Sequence, residues 1–301
     1  MKTEAMTREP AHVARQILLS SRPISWINTA FPFAAAYVLT EGNVDALLVV
    51  GTLFFLVPYN LLMYGVNDVF DYESDLRNPR KGGTEGALLE PSLHRLVVVV
   101  GVVTAAPLAV AMLWLGGTAN PWSWVVLAVS VFAVFAYSVP GLRFKERPVL
   151  DSITSSTHFV SPAVYALAVA GADPTPQLLA VVAAFFCWGM ASHAFGAVQD
   201  VVPDREAGIA SIATALGARA TVRLALALWT AAGLLMLVNE WPGPLAAVLV
   251  VPYLLAAWPY RSVTDAESGT ANRGWRRFIA MNYVVGFLVT MLLIWWALTR
   301  S

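Results

Sequence analysis

Long apolar runs alternate with short polar links along the chain. Nine runs have the length of a membrane span, at roughly 22–41, 44–66, 93–115, 121–140, 151–171, 177–198, 218–239, 243–260 and 277–298. A helix needs about 20 mostly apolar residues to cross the hydrocarbon core of a bilayer. The pattern therefore predicts an all-α integral membrane fold with nine transmembrane helices. Ahead of the first run, Val13, Ala14, Ile17 and Leu18 share one helical face, which predicts a short interfacial helix within residues 1–21. That segment carries Arg8 and Arg15 but no apolar core leading to a small-residue cleavage site, so it does not read as a cleavable signal. Gly116-Gly117 with Asn120-Pro121, and Asp173-Pro174 with Pro176, mark tight turns, while 262–276 reads as a longer polar loop open to motion. Residues 1–301 read as a single membrane domain, with 22–298 as its bundle.

Composition agrees with this and charge placement orients it. The 301 residues are 58% hydrophobic and 13% charged, with mean hydropathy +0.65, too apolar for a soluble domain of this length. Formal net charge is zero, yet 18 of the 19 Lys and Arg fall in the N-terminal segment or in the loops after spans two, four, six and eight. Arg300 alone lies on the other side, where the loops carry Glu41, Asp45, Asp173 and Glu240. The positive-inside rule then puts the N-terminus in the cytoplasm and the C-terminus outside, in a multi-pass protein of the plasma membrane. The single cysteine, Cys187, lies in an apolar run, which excludes an internal disulfide and argues against a thiol-metal site. No nucleic-acid partner is expected.

Two acidic clusters close spans two and six. The first reads Asn67-Asp68-Val69-Phe70-Asp71-Tyr72-Glu73-Ser74-Asp75 and the second Asp200-Val201-Val202-Pro203-Asp204-Arg205-Glu206, both on the predicted cytoplasmic side. On a helix, Asn60, Tyr64, Asn67, Asp71 and Asp75 would share one face, as would His193, Asp200 and Asp204. Acids beside hydrocarbon persist only with a partner. Like charges about 5 Å apart repel by about 3 kcal/mol per pair at an effective dielectric near 20. No matching Lys or Arg lies at helix depth, so divalent cations are the expected counter-charge. Hard oxygen ligands select Mg²⁺, with Mn²⁺ as the alternative, and Mg²⁺ commonly bridges carboxylates to substrate phosphates. The competing reading, two solvated helix ends, explains one cluster better than two.

Asn67-Asp68-x-x-Asp71-x-x-x-Asp75 and Asp200-x-x-x-Asp204-x-x-x-Gly208, followed by Ser211 and Leu216-Gly217, resemble the paired signatures of the UbiA superfamily of intramembrane prenyltransferases. Arg22-Pro23 with Asn28 and Pro32, and Tyr137-Ser138-x-Pro140-x-x-Arg143-x-Lys145, extend the resemblance over about residues 20 to 295. It implies a UbiA-like bundle around a central cavity, two Mg²⁺ ions and a prenyl diphosphate donor. Position by position it makes Asn67, Asp71, Asp75, Asp200 and Asp204 the metal ligands, with Asp68 assisting. Arg22, Lys81 and Lys145 are then candidates to hold the diphosphate through charge-assisted hydrogen bonds, Asn28 another substrate contact, and Tyr137 a residue facing an allylic cation. Each has an ordinary alternative, a topology-setting charge for the bases and a packed interfacial ring for Tyr137.

The stretch from Asn67 to Ala87 looks most like actinobacterial lycopene elongases, which add C5 units to lycopene on the way to C50 carotenoids. Tyr72 stands where quinone-type enzymes often carry Arg, and an Arg-Pro pair expected in the following loop is missing. The resemblance therefore implies dimethylallyl diphosphate as donor, an apolar carotenoid as acceptor, and an active site opening to the cytoplasmic face among membrane lipid. His193 is a candidate to take the final proton or contact substrate, although a lone polar residue in a span is more often a hydrogen-bonded packing residue. His158 is a weaker candidate. Phe132, Phe135, Phe185, Phe186, Trp188 and Phe195 could flank a cation, with core packing the commoner role, and Trp295 and Trp296 read as an interfacial belt. Competing functions are prenyl transfer to an aromatic, quinone-precursor or tetrapyrrole acceptor, and a cation transporter.

Overall fold

In the computed structural model residues 9–76, 88–117 and 120–299 are described, and the regular elements among them are all helical. The chain divides into two compact units, Met1–Leu142 with Tyr165–Ala170, and Arg143–Val164 with Gly171–Ser301.

The first unit contains α1 (Pro10–Ser20), α2 (Ile27–Glu41), α3 (Ala46–Leu56), α4 (Pro58–Phe70), the single turn α5 (Tyr72–Asp75), α6 (His94–Gly116) and α7 (Trp122–Ser138). Its core is aromatic, with Phe55 between Phe33 and Tyr59 at ring separations of 5.3 and 5.2 Å. Gly51 is required there, because a Cβ at that position would sit 2.2 Å from the Phe33 ring. Span two is not one helix but α3 and α4, broken at Val57-Pro58, since proline supplies no N–H to continue the ladder. The freed carbonyls are satisfied locally. Phe55 C=O accepts from Thr29 Oγ1 at 2.7 Å and from Asn60 Nδ2 at 2.9 Å, and Leu56 C=O accepts from Asn60 Nδ2 at 3.1 Å. Asn60 is thus the plug of this break, a correction to its place at the head of a functional stripe. Helix α1 is not free of the bundle either. Val13 and Ile17 pack with Leu61, Leu89, Leu93 and Val97, and His12 pairs with Glu90 at 2.7 Å. Ala14, Ile17, Leu18 and Ser21 line an apolar groove of about 280 Å³ with Val57 and Leu61.

The second unit contains most of α8 (Leu150–Val169), then α9 (Pro176–Val198), α10 (Val201–Glu206), α11 (Ile212–Leu216), α12 (Ala218–Met236), α13 (Val251–Ala257) and α14 (Asn272–Leu298). Buried Trp229 anchors its core, with ring centroids 5.8 Å from Phe195, 5.7 Å from Tyr253 and 5.9 Å from Phe278. Trp188 packs on Tyr253 and Phe278, so Phe195 and Trp188 serve the core. The polar stretch 262–276 is largely ordered structure, a 3-10 segment Asp265–Ala271 running into α14. A capping box starts it, with Thr264 Oγ1 donating to Glu267 at 2.7 Å.

Six helical stretches among the described residues are long and apolar enough to cross a membrane: Ala46–Phe70, Pro91–Gly116, Pro176–Val198, Ala218–Met236, Gly243–Tyr260 and Asp265–Leu298. The other three expected runs are helical but differ from simple spans. Helix α2 has 15 residues because Arg22-Pro23 opens a 3-10 turn before it, and α7 has 17. Helix α8 reaches 20 residues but begins with Asp151, Ser152, Thr154 and Ser156, all buried.

Candidate active site

Helix α4 presents Tyr64, Asn67 and Asp68 in its last two turns and ends with Asp71 as C-cap. The Asp71 N–H still donates to Asn67 C=O at 2.9 Å, and the helix restarts at Tyr72, so the predicted stripe is interrupted before Asp75. The Asp75 side chain and all of Lys81 lie outside the described residues. Asp68 is 1% exposed and accepts from Arg22 Nη2 at 3.0 Å, while the Arg22 guanidinium lies 4.3 Å above the Tyr64 ring. Arg22 adopts a left-handed backbone, φ 49° and ψ 75°, which is uncommon for a residue with a side chain. A sparsely populated conformation, a buried ion pair and a cation–π contact thus converge on one arginine. Asn67 Oδ1 accepts from Ser138 Oγ, at the end of α7, at 3.0 Å. Tyr72 packs edge-on against His94 with ring centroids 5.2 Å apart.

In the second unit, α9 ends at Val198 and Asp200 begins the six-residue α10. The Asp204 N–H donates to Asp200 C=O at 2.8 Å, which keeps the two acids one helical turn apart, and both are half-buried. Gly208, at φ 70°, then reverses the chain so that Ile209 N–H returns to Asp204 C=O at 2.8 Å. Ser211 opens α11 through a reciprocal capping box with Thr214. The predicted Asp-x-x-x-Asp-x-x-x-Gly pattern is therefore a helical turn closed by the one residue type suited to its reversal.

The two acidic clusters differ in their helix setting. Asp68 and Asp71 sit at the C-terminal end of α4, where the helix dipole is already negative, whereas Asp200 is the N-cap of α10 and Asp204 lies in its first turn. Acidic caps belong at N-termini, so capping does not account for Asp68 and Asp71, and the Asp200 side chain makes no capping hydrogen bond to α10.

Sequence reasoning overlooked several residues that hold these ends. Asp151, fully buried at the start of α8, accepts Ser152 N–H at 2.7 Å on one oxygen and Ile212 N–H at 2.6 Å on the other. Arg205 Nη1 donates to Asp265 at 2.6 Å and Arg205 Nη2 to Thr214 C=O at 2.9 Å. An acid inside an apolar run was the visible signal for Asp151; nothing in the sequence singles out Asp265. Of the other candidates, Asn28 is exposed on the first turn of α2 and Tyr137 is half-buried in α7 beside Ser138. Lys145 lies half-buried in a 3-10 turn, Phe144–Glu146, entered through Arg143 at φ 39°. His193 Nδ1 lies 3.0 Å from Ser152 Oγ, which fixes the ring's orientation.

Within either unit, no three described His, Cys, Asp or Glu side chains gather into a metal-holding group. Each acidic end by itself offers a few hard oxygens, the donor set of an ion that keeps water and substrate oxygens in its shell rather than a full protein cage. Asn67 Oδ1 retains a second lone pair beside the Ser138 bond. Asp68 Oδ1 accepts from Arg22.

Residues 29–283 match the profile of the UbiA prenyltransferase family. The chain is 54% identical over 283 residues to the C(50) beta-cyclic carotenoids biosynthesis protein LbtBC of Dietzia sp. (strain CQ4), an alignment covering 94% of this chain and 65% of that one. It is 49% identical over 280 residues to a lycopene elongase/hydratase of Corynebacterium glutamicum, covering 93% and 96% of the two chains. A UbiA homolog from Archaeoglobus fulgidus, solved bound to DMAPP and Mg²⁺, has the same fold, with TM-score 0.64 at 18% identity over 90% of this chain and 98% of that one.

Proposed function

Because the chain belongs to the UbiA prenyltransferase family, we propose that it transfers a C5 dimethylallyl group from dimethylallyl diphosphate to the ends of lycopene. The observation that carries this reading is the pair of acidic turns, Asn67–Asp71 at the C-terminal end of α4 and Asp200–Asp204 at the start of α10, each gathering hard oxygen donors. The high identity to proteins named for lycopene elongation and C50 carotenoids supports the choice of acceptor. The chain is a multi-pass membrane protein. We read it as nine spans around a central cavity, with the N-terminus and both acidic ends cytoplasmic, as the placement of its basic residues supports.

In this reading Asn67, Asp71, Asp75, Asp200 and Asp204 hold two Mg²⁺ ions, or Mn²⁺ in their place. Bound there, the metal neutralises charge that builds on the leaving diphosphate. Arg22, Lys81 and Lys145 donate charge-assisted hydrogen bonds to the diphosphate oxygens, with Asn28 as a further substrate contact. Asp68 assists by fixing Arg22. The allylic C–O bond breaks with its electron pair leaving on the diphosphate, and the terminal double bond of lycopene supplies the pair that forms the new C–C bond. Tyr137 faces the allylic cation. The resulting tertiary cation ends by losing a proton or by capturing water and then losing one, and in this reading His193, oriented by Ser152, receives it.

Mass analysis of carotenoids from a lycopene-making host expressing this chain tests the proposal. One or two added C5 units are expected, with none in Asp71→Ala or Asp200→Ala. Transfer of a longer prenyl chain to an aromatic acid, with lycopene untouched, would overturn it.

A further inference from the structure

Helix α10 has six residues, too few to hold its own direction in isolation, yet it carries Asp204 and follows directly on Asp200. A clamp outside the acidic motif fixes it. Arg205 reaches out of α10 with Nη1 on Asp265 Oδ2 at 2.6 Å and Nη2 on Thr214 C=O at 2.9 Å. The other Asp265 oxygen accepts Ala218 N–H at 2.7 Å. One carboxylate thus ties together α10, the first residue of α12 and the 3-10 segment Asp265–Ala271. Gly217 leaves room for it: the backbone there has φ +79°, and a Cβ would stand 3.1 Å from Asp265 Oδ1.

Neighbouring helix residues point about 100° apart, so pinning Arg205 to the 3-10 segment also fixes where Asp204 points. The Asp204 N–H bond to Asp200 C=O carries that constraint back one turn. The pair itself is a poor source of stability. Its side chains are 45% and 40% exposed, and such pairs contribute about 0–1 kcal/mol. We propose that Asp265 is a positioning residue, which holds Arg205 so that Asp204 is aimed for divalent-cation binding. This inference rests on the reading of Asp200 and Asp204 as metal ligands. It assigns the inner 3-10 segment the task of setting the metal affinity of an acidic end 60 residues earlier in the chain.

The test is Mn²⁺ binding to the purified full chain in detergent with inorganic diphosphate present, followed by electron paramagnetic resonance, alongside thermal unfolding. Asp265→Asn should weaken Mn²⁺ binding by about tenfold, and Arg205→Ala by a similar factor, with little change in unfolding temperature. Because the two residues form one clamp, the double variant should bind no more weakly than either single one. Arg205→Lys, which keeps one donor, should recover part of the loss. Parent-like binding by Asp265→Asn, or a double variant showing the sum of the single losses, would overturn the proposal. Arg205→Ala carries the same test if Asp265→Asn fails to fold. Asp204→Asn separates the two levels. Unchanged binding there would bring down the ligand reading and the clamp together. A loss there with parent-like Asp265→Asn would bring down the clamp alone.

Discussion

The two acidic helix ends solve the same electrostatic problem with different residues. At the end of α4 a member of the motif itself, Asp68, is given to the fold, buried against Arg22 at 3.0 Å. Around α10 acids from outside the motif, Asp151 and Asp265, tie down the chain that carries Asp200 and Asp204. The difference teaches that a shared sequence pattern does not make its acids equivalent. The first end is braced from within its motif and the second from outside it.

The largest expected effect breaks the chemistry at both ends alike. Asp71→Ala and Asp200→Ala should each lower C5 transfer by more than about 100-fold, as loss of a preorganised electrostatic contact does. Product masses from the lycopene-making host give the measurement. If only one end mattered, the pairing of the two clusters would lose its meaning. Next in size is Asp68→Asn. Removing one partner of a buried pair commonly costs about 3–5 kcal/mol because the other charge is stranded. Asp68 is fully buried and Arg22 is 19% exposed at its side chain, so the variant should unfold at clearly lower temperature. Replacing both partners, as in Arg22→Met with Asp68→Leu, should restore much of that stability while leaving transfer impaired. If Asp68→Asn instead kept parent stability and lost Mn²⁺ binding, Asp68 would belong with the ligands and the contrast between the ends would disappear.

Much of this was legible in the sequence because it follows from local rules. The apolar runs mark helices by length alone, and both acidic motifs, with Gly208 as a turn residue, stand out by spacing. The interruptions fall at prolines. Pro58 divides span two, and Arg22-Pro23 delays the start of α2. The division of labour among the acids was not legible, because it is decided by tertiary partners. Asp68 meets an arginine 46 residues earlier, and Asp151 an amide 61 residues later. No spacing rule predicts such a pairing. Asn60 misled for the same reason, since its helical phase matches the acids but its amide is occupied by the α3–α4 break.

Asp151→Asn sharpens the comparison at an intermediate level. The amide can accept only one of the two backbone N–H groups that the carboxylate holds, and it brings buried donors of its own. Leaving one buried donor unsatisfied costs about 1–3 kcal/mol. Amide exchange should therefore accelerate first at Ile212 and the adjoining turn of α11, with the core around Trp229 protected as before. Equal acceleration throughout the second unit would mean that Asp151 supports the whole unit rather than the chain around Asp204.

The smallest effect comes from a carboxylate outside both acidic motifs. Asp45 caps the N-terminus of α3, where its side chain accepts Leu48 N–H at 2.9 Å and the Tyr37 hydroxyl at 2.7 Å. Partial burial works against its charge, but these hydrogen bonds outweigh it and hold the carboxyl below its ordinary value of 3.8. A depressed value means that the stabilisation is complete above pH 3.8 and is lost as the pH falls through the lower, folded value. Asp45→Ala should cost about 0.5–2 kcal/mol at neutral pH, the usual worth of such a cap. Its unfolding temperature should converge on that of the parent only below pH 3.8, with no change in Mn²⁺ binding. Here the helix dipole favours the acid, and the Leu48 N–H and the Tyr37 hydroxyl are its partners. If Asp45→Ala weakened Mn²⁺ binding as strongly as Asp71→Ala, the assignment of metal binding to the two acidic motifs would not hold.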